Sequence, residues 1–253
     1  MKRTNKLAIW AAALVVAGLV WLLYPAQGTL ILEYHKICED TSPYAVAPAE
    51  FDKQLQYLAD EGYTTISMKE YAAAAAGQGV LPAKPVVITF DDGYDNNYTE
   101  ALPLLERHGM KGTVFVVSGY VEQYPGYLSW PQILEMQRRG MEIGSHTANH
   151  VQLDTLSPDE QRKEITESKA VLEQHIGRPV EFLAYPFGGY TAETEKLLKE
   201  AGYAGACTGE AGLNRGGDKP YALKRVYIPN SRWGLWEFKL RLWRAIVFTK
   251  LGL

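Results

Sequence analysis

A chain of 253 residues with 47% hydrophobic content is long enough to bury a full core, and one barrel-sized domain accounts for it as well as two smaller ones. The formal charge is −3 but uneven: the first six residues carry +3 and the segment from Arg232 to Lys250 carries +4, so the body between them carries −10. Such a body is a poor nucleic-acid binder, because that affinity rests on Lys and Arg neutralising phosphates, and no nucleic-acid partner is expected.

In chain order, Lys2, Arg3 and Lys6 precede the uncharged run Leu7 to Tyr24, LAIWAAALVVAGLVWLLY, which is just long enough to cross a bilayer. Basic residues before it, with none close after it, put the N-terminus in the cytoplasm and the rest outside. A cleaved signal peptide is the competing reading, but its only small-x-small site is Ala26-Gln27-Gly28. Residues 1–28 therefore read as a basic stub, a retained single-pass membrane anchor and a connector. Outside the cytoplasm Cys38 and Cys207 could form one disulfide; two free thiols are the alternative.

Short apolar runs then alternate with helical patterns. Strands are predicted at Leu30 to Tyr34, Tyr63 to Ile66, Val86 to Phe90, Thr113 to Val117, Met141 to Gly144, Phe182 to Ala184, Ala204 to Cys207 and Val226 to Ile228. They are short and mostly apolar on both faces, as suits a parallel sheet covered by helices. Between them, YAAAAAG at Tyr71 to Gly77 reads as plain helix. SPDE at Ser157 to Glu160 reads as a capping box with proline at the first helical position, opening a helix to about His175. Strand and helix repeated about seven times predict an α/β fold on a parallel sheet, closed as a barrel or open and doubly wound. No linker or repeat period interrupts residues 29–230.

The polar residues fall at strand ends. His35 follows the strand ending at Tyr34, Asp91 and Asp92 the one ending at Phe90, His146 the one ending near Gly144, and Tyr185-Pro186-Phe187-Gly188 the one ending at Ala184. In a parallel barrel these ends share one face, and that face builds the active site. Two adjacent carboxylates after a buried strand repel, and a cation is the obvious offset. GSHTANH sets His146 and His150 four residues apart, so on a helix both imidazoles would project from one side and hold one ion. With one carboxylate this makes an Asp-His-His site for a divalent metal. Zinc is the default, and cobalt, nickel or iron also suit the ligands. The second aspartate could take a proton from water at the metal. Taken singly, each histidine could be a surface or capping residue and Asp-Asp-Gly a turn; their concurrence on one face favours the metal.

TFDDGY followed by HTANH resembles the polysaccharide deacetylases of carbohydrate esterase family four, whose motifs read T-F-D-D-G and H-[ST]-x-x-H. The resemblance spans most of residues 29–230. It implies a distorted (β/α) barrel of about seven strands, preceded here by the membrane helix, and metal-dependent removal of N-acetyl groups from amino-sugar polymers. It makes Asp91 the base, Asp92, His146 and His150 the metal ligands, and the Phe187 backbone N–H an oxyanion donor. Where the family has R-x-P-[YF]-G this chain has Ala184-Tyr185-Pro186-Phe187-Gly188, without the arginine that braces the base, and no histidine follows His175 to act as the acid. In the poly-N-acetylglucosamine deacetylase subgroup the barrel resembles a circular permutation with the acid-bearing strand first. LILEYHKI resembles that strand and AYPFG that third motif, which implies His35 as the general acid; a buried structural histidine is the alternative. Arg225, in LKRVYIPN, is a candidate brace, set against the commoner case of a surface arginine.

Tyr94, Tyr98, Trp130, Tyr185 and Tyr190, with Pro186 beside them, are the nearest candidates in sequence for contacts to sugar rings. Trp130 follows Ser129, a good N-cap, so core packing of that helix is equally open. In the tail, residues 231–253, Trp236, Leu240, Trp243, Val247 and Leu251 recur at helical spacing, flanked by Lys239, Arg241, Arg244 and Lys250. A basic amphipathic helix of this kind suits a membrane interface, and a helix packed on the barrel is the alternative. The expected protein is an anchored, extracytoplasmic N-deacetylase of a poly-N-acetylglucosamine-type polymer. Deacetylation of peptidoglycan or chitin-like oligomers, or a non-catalytic carbohydrate-binding barrel, are the alternatives.

Overall fold

In chain order the elements are β1 (Leu30–Tyr34), the two-residue strands β2 (Lys36–Ile37) and β3 (Ala45–Val46), α1 (Pro48–Asp60), β4 (Thr64–Thr65), α2 (Met68–Ala75), β5 (Pro85–Phe90), α3 (Leu102–Arg107), β6 (Thr113–Val116), α4 (Trp130–Arg138), β7 (Glu142–Ser145), α5 (Pro158–Ile176), β8 (Phe182–Ala184), α6 (Ala192–Glu200), β9 (Gly205–Cys207), β10 (Val226–Tyr227) and α7 (Leu235–Leu251). This computed structural model describes residues 28–252 and isolated helical positions between 10 and 18. Among the described residues no helix is long and apolar enough to cross a membrane, and most of the predicted anchor lies outside them.

All eight predicted strands are present, each within a residue of its expected ends. They form one sheet in which every pairing is parallel, running β10-β1-β5-β6-β7-β8-β9, with β4 on the start of β5. Parallel strands need helical crossovers on the sheet's outer face, and this is why the strands are apolar on both sides. The two ends of the sheet approach each other through the stretch before β10, where Cys207 bridges Leu223 and the Arg225 N–H donates to Glu210 O.

The alternation of side chains along each strand divides the interior in two. Leu30, Leu32 and Tyr34 of β1 and Val86, Ile88 and Phe90 of β5 point outward, into a large core with Phe51, Leu55 and Leu58 of α1 and the inner faces of α3, α4 and α5. Ile31, Val87, Phe115, Phe182 and Cys207 point inward, and Ile66, Met68 and Tyr71 join them from β4 and α2. The same period carries Glu33, Thr89 and Asp91 onto the inward face above this small apolar plug. Cys207 is buried there and Cys38 is half-buried; both are free thiols, so the disulfide is not formed.

α5 begins as predicted: the Ser157 hydroxyl accepts from the Glu160 N–H, the Glu160 carboxylate accepts from the Ser157 N–H, and left-handed Gly177 ends the helix. α7 packs against α1 and β10 through Phe238, Leu242 and Ala245. Of the apolar stripe read from the tail, Val247 is buried, whereas Trp236, Leu240, Trp243 and Leu251 remain exposed.

Candidate active site

Asp91 is the first residue past β5, its N–H still donating to Tyr34 O at 2.9 Å, so the ladder fixes where its side chain goes. It goes to Arg225. The guanidinium donates through Nη1 to Asp91 Oδ1 and through Nη2 to Asp91 Oδ2, both at 2.7 Å, a two-pronged pair that sets the carboxylate's plane as well as its charge. Arg225 is 2% exposed and is held in turn by Thr208 O at 3.0 Å, Thr89 Oγ1 at 3.3 Å and Glu33 Oε2 at 3.2 Å. The surface arginine expected as the commoner case is therefore a buried brace. Burial opposes ionisation of Asp91, but Arg225 and then His146 outweigh it and hold the carboxyl below its usual range.

Asp92 and Gly93 both turn left-handed, with φ of 73° and 78°, swinging the Asp92 carboxylate away from Asp91. A side chain at Gly93 would press on Val116 Cγ1 at 3.3 Å, so glycine suits the turn twice over. Asp92 Oδ1 is buried without a hydrogen-bond partner, 3.4 Å from His146 Nε2 and 3.2 Å from His150 Nε2. Burial opposes its ionisation too, and the two imidazoles reverse this and hold the carboxyl far below the carboxylate range. His146 Nδ1 lies 2.8 Å from Ala184 O; a carbonyl only accepts, so Nδ1 carries the proton and Nε2 offers its lone pair to the site. The three ligand atoms lie within 4.8 Å of one another, and an orphaned carboxylate oxygen facing two imidazole nitrogens fits a divalent ion.

The segment from His146 to His150 is not the predicted helix. It is a loop in which Thr147 and His150 adopt φ of 65° and 55°. Glu164 on α5 accepts from the Ala148 and Asn149 N–H groups at 3.0 and 2.9 Å, and Thr147 Oγ1 accepts from the His150 N–H at 3.0 Å. Two left-handed residues bring the imidazoles onto one side, their rings 4.9 Å apart. Five described non-glycine residues have positive φ, and four of them, Asp92, Thr147, His150 and Phe187, stand in this site. Backbone strain of that kind persists only where the surroundings enforce it.

Beside Asp92, His146 and His150 opens a cleft of about 440 Å³. His35 stands in its wall, with Nδ1 unpartnered and its ring 5.0 Å from Tyr44 and 5.8 Å from Tyr227. Burial lowers the His35 pKa against the upward pull of Asp91 and Asp92. Glu33, also lining the cleft, is pushed up to about 7, chiefly by burial and against the pull of Arg225. Phe187 is 72% exposed at the rim, its ring edge-on to His150 at 4.9 Å.

The cleft thus gathers Asp91, Asp92, His35, His146, His150, Tyr94, Tyr185 and Phe187. Pro186 is buried behind the rim, and Tyr190 stacks on Tyr185 outside the lining. Tyr98 packs on the outer core. Trp130 is a correction: it lies flat on His175 at 3.6 Å, between α4 and α5, and takes no part in the cleft. Glu33, Tyr44, Tyr227 and Glu164 were missed. Only Glu33 left a trace in the sequence, as a lone carboxylate in an apolar strand two residues before His35.

A buried carboxylate on its arginine, an imidazole and an Asp-His-His triad thus meet in one cleft at the strand ends of a parallel α/β sheet. The family model for polysaccharide deacetylase matches residues 78–206, and the chain belongs to this family. The YxkH protein of Bacillus subtilis is 35% identical over 198 residues, 78% of this chain and 70% of that protein. A poly-β-1,6-N-acetyl-D-glucosamine N-deacetylase of Staphylococcus aureus is 23% identical over 212 residues, 72% of each chain. Of solved structures, the deacetylase PplD of Streptococcus pyogenes, in complex with acetate, superposes with a TM-score of 0.76 at 31% identity over 84% of this chain and 98% of that one. IcaB from Ammonifex degensii superposes with a TM-score of 0.77 at 29% identity, over 88% of this chain and 98% of that one.

Proposed function

We propose that this protein removes N-acetyl groups from an amino-sugar polymer of the poly-N-acetylglucosamine type, using a divalent metal for which zinc is the best fit. The observation that carries the reading is the meeting in one cleft of the Asp92–His146–His150 triad, the Arg225-braced Asp91 and His35. The polymer type rests on the Staphylococcus aureus relative, named for poly-β-1,6-N-acetyl-D-glucosamine, and on a histidine, His35, placed directly after the first strand.

Asp92, His146 and His150 would hold the metal, which when bound supplies Lewis acidity at the amide carbonyl and acidifies water. Asp91, kept ionised and aimed by Arg225, accepts a proton from the attacking water as its oxygen bonds to the acetamide carbon. The N–H of Phe187, a rim residue held at a left-handed φ of 59°, donates to the oxyanion that develops. When the C–N bond breaks, His35 in its imidazolium form gives the departing nitrogen a proton, and the proton taken up by Asp91 returns through solvent to restore both groups, leaving acetate and a free amino sugar. The arginine and the late histidine missing from the linear motifs have counterparts in Arg225 and His35, and this favours turnover over a non-catalytic barrel.

Acetate release from poly-β-1,6-N-acetylglucosamine, peptidoglycan and chitin oligomers, with each metal in turn, tests the reading. At least a tenfold preference for the first polymer is expected. Equal or faster release from the others would reassign the substrate, and no release from any would leave a binding barrel. We place the barrel outside the cytoplasm, tethered by Leu7 to Tyr24, on the charge pattern around that run. Protease added to intact protoplasts should then digest the barrel, and digestion only after lysis would contradict this.

A further inference from the structure

α7 uses its apolar residues on two sides. Inward, Phe238, Leu242 and Ala245 are buried, with Phe238 meeting the Tyr57 ring edge-on at 6.0 Å. Outward, Trp236 is 62% exposed, Trp243 49% and Leu251 52%, with Leu240 between them and Trp233 just before the helix. Large contiguous apolar patches on a soluble surface mark a binding face. Arg232, Lys239 and Arg244 are exposed along its edges, and the segment's one acid, Glu237, is tied to Arg241 at 2.9 Å. A strip of +4 on a body of −10, built of tryptophan and leucine with basic flanks, matches an anionic lipid headgroup layer in both charge and polarity.

The helix also has a definite direction. At its start, the Asn230 N–H donates to Pro43 O at 3.0 Å, beside Tyr44 of the cleft. At its end, Thr249 Oγ1 accepts from the Leu213 N–H at 2.9 Å, next to Asn214, which pairs with Thr29 where the chain enters the sheet. α7 therefore runs from the catalytic rim to the end of the barrel where the N-terminal segment arrives.

We infer that the face of α7 bearing Trp233, Trp236, Leu240, Trp243 and Leu251 lies in the headgroup layer of an anionic membrane, laying the barrel on its side with the cleft opening along the membrane plane. The inference is independent of the deacetylase reading, because its readout is position and not turnover.

The test uses the full chain, labelled with 5-fluorotryptophan, in nanodiscs of phosphatidylglycerol and phosphatidylcholine, with each fluorine signal assigned by a single Trp→Phe substitution. Trp233, Trp236 and Trp243 signals should broaden with a paramagnetic lipid headgroup and stay sharp with a water-soluble paramagnet, while Trp130, half-buried against His175 between α4 and α5, should broaden with the water-soluble agent only. Lys239→Glu with Arg244→Glu should lower the ratio of lipid-side to water-side broadening by about fivefold per charge removed, with acetate release from a soluble oligomer unchanged. Broadening by the aqueous agent alone would mean that the face sits in water. Protection from both agents would mean that a second copy or the N-terminal segment covers it. Either result overturns the inference.

Discussion

Asp91 and Arg225 stand 134 positions apart in the chain and share a two-pronged ion pair with both partners buried. Removing one member of such a pair strands the other's charge, so Arg225→Ala would unfold part of the population, and Arg225→Lys is the better probe. Lysine keeps the charge but contacts one oxygen at most. Arg225→Lys should therefore lower kcat by about 10²-fold and move the acid limb of the kcat/KM profile to higher pH, since less opposes the burial that raises the Asp91 pKa. An unmoved acid limb would take Asp91 out of the base role. Glu33 gives a second test, on the metal-free protein. With its pKa raised from 4.5 to about 7, the folded chain keeps a proton that the unfolded chain releases, so stability falls as pH rises through that window. Glu33→Gln has no such loss, and its Tm advantage over the parent should grow between pH 5 and pH 8. A flat difference would mean that Glu33 is ionised against Arg225 throughout.

At the scale of elements, the loop from His146 to His150 carries two of the three candidate metal ligands, and one carboxylate on α5 holds the loop. Glu164→Ala removes the acceptor for two backbone N–H groups and the Asn149 amide, so metal affinity should fall about 10- to 100-fold while Asp92, His146 and His150 are untouched. Unchanged affinity, read by titration with a competing chelator, would mean that the left-handed loop holds itself. This loop also marks where sequence reasoning reached its limit. The strands were readable because residues such as Pro85–Phe90 are buried on both faces and leave no polar face to confuse the period. The four-residue spacing of His146 and His150 suggested a helix, yet the same convergence comes from Thr147 and His150 at positive φ, which no spacing reports. The pairing of Arg225 is hidden from the sequence for the same kind of reason, because an arginine after a loop carries no sign of a partner more than a hundred residues away. Trp130 was a matter of packing: its stacking partner, His175, sits at the far end of a different helix.

Across the whole molecule, the sheet's parallel order puts every candidate reacting group at one end, while the apolar plug of Ile31, Val87 and Phe115 closes the space beneath. That end was legible, since His35, Asp91, His146 and Tyr185 each follow a strand that a parallel sheet must orient alike. The tail was legible in part. Its period was right, but which apolar residues meet the barrel depends on where Phe238 and Leu242 find a partner surface in α1.

The most direct measurement is acetate release by chelator-treated protein as zinc is returned, in the parent chain and in His146→Ala, with metal content measured alongside. Activity should be absent without metal, rise linearly to a plateau near one ion per chain in the parent, and stay absent in His146→Ala, which should hold the ion at least 100-fold more weakly. Acetate release that persists after chelation, or that survives in His146→Ala, would contradict a metal-centred deacetylase built on Asp92, His146 and His150.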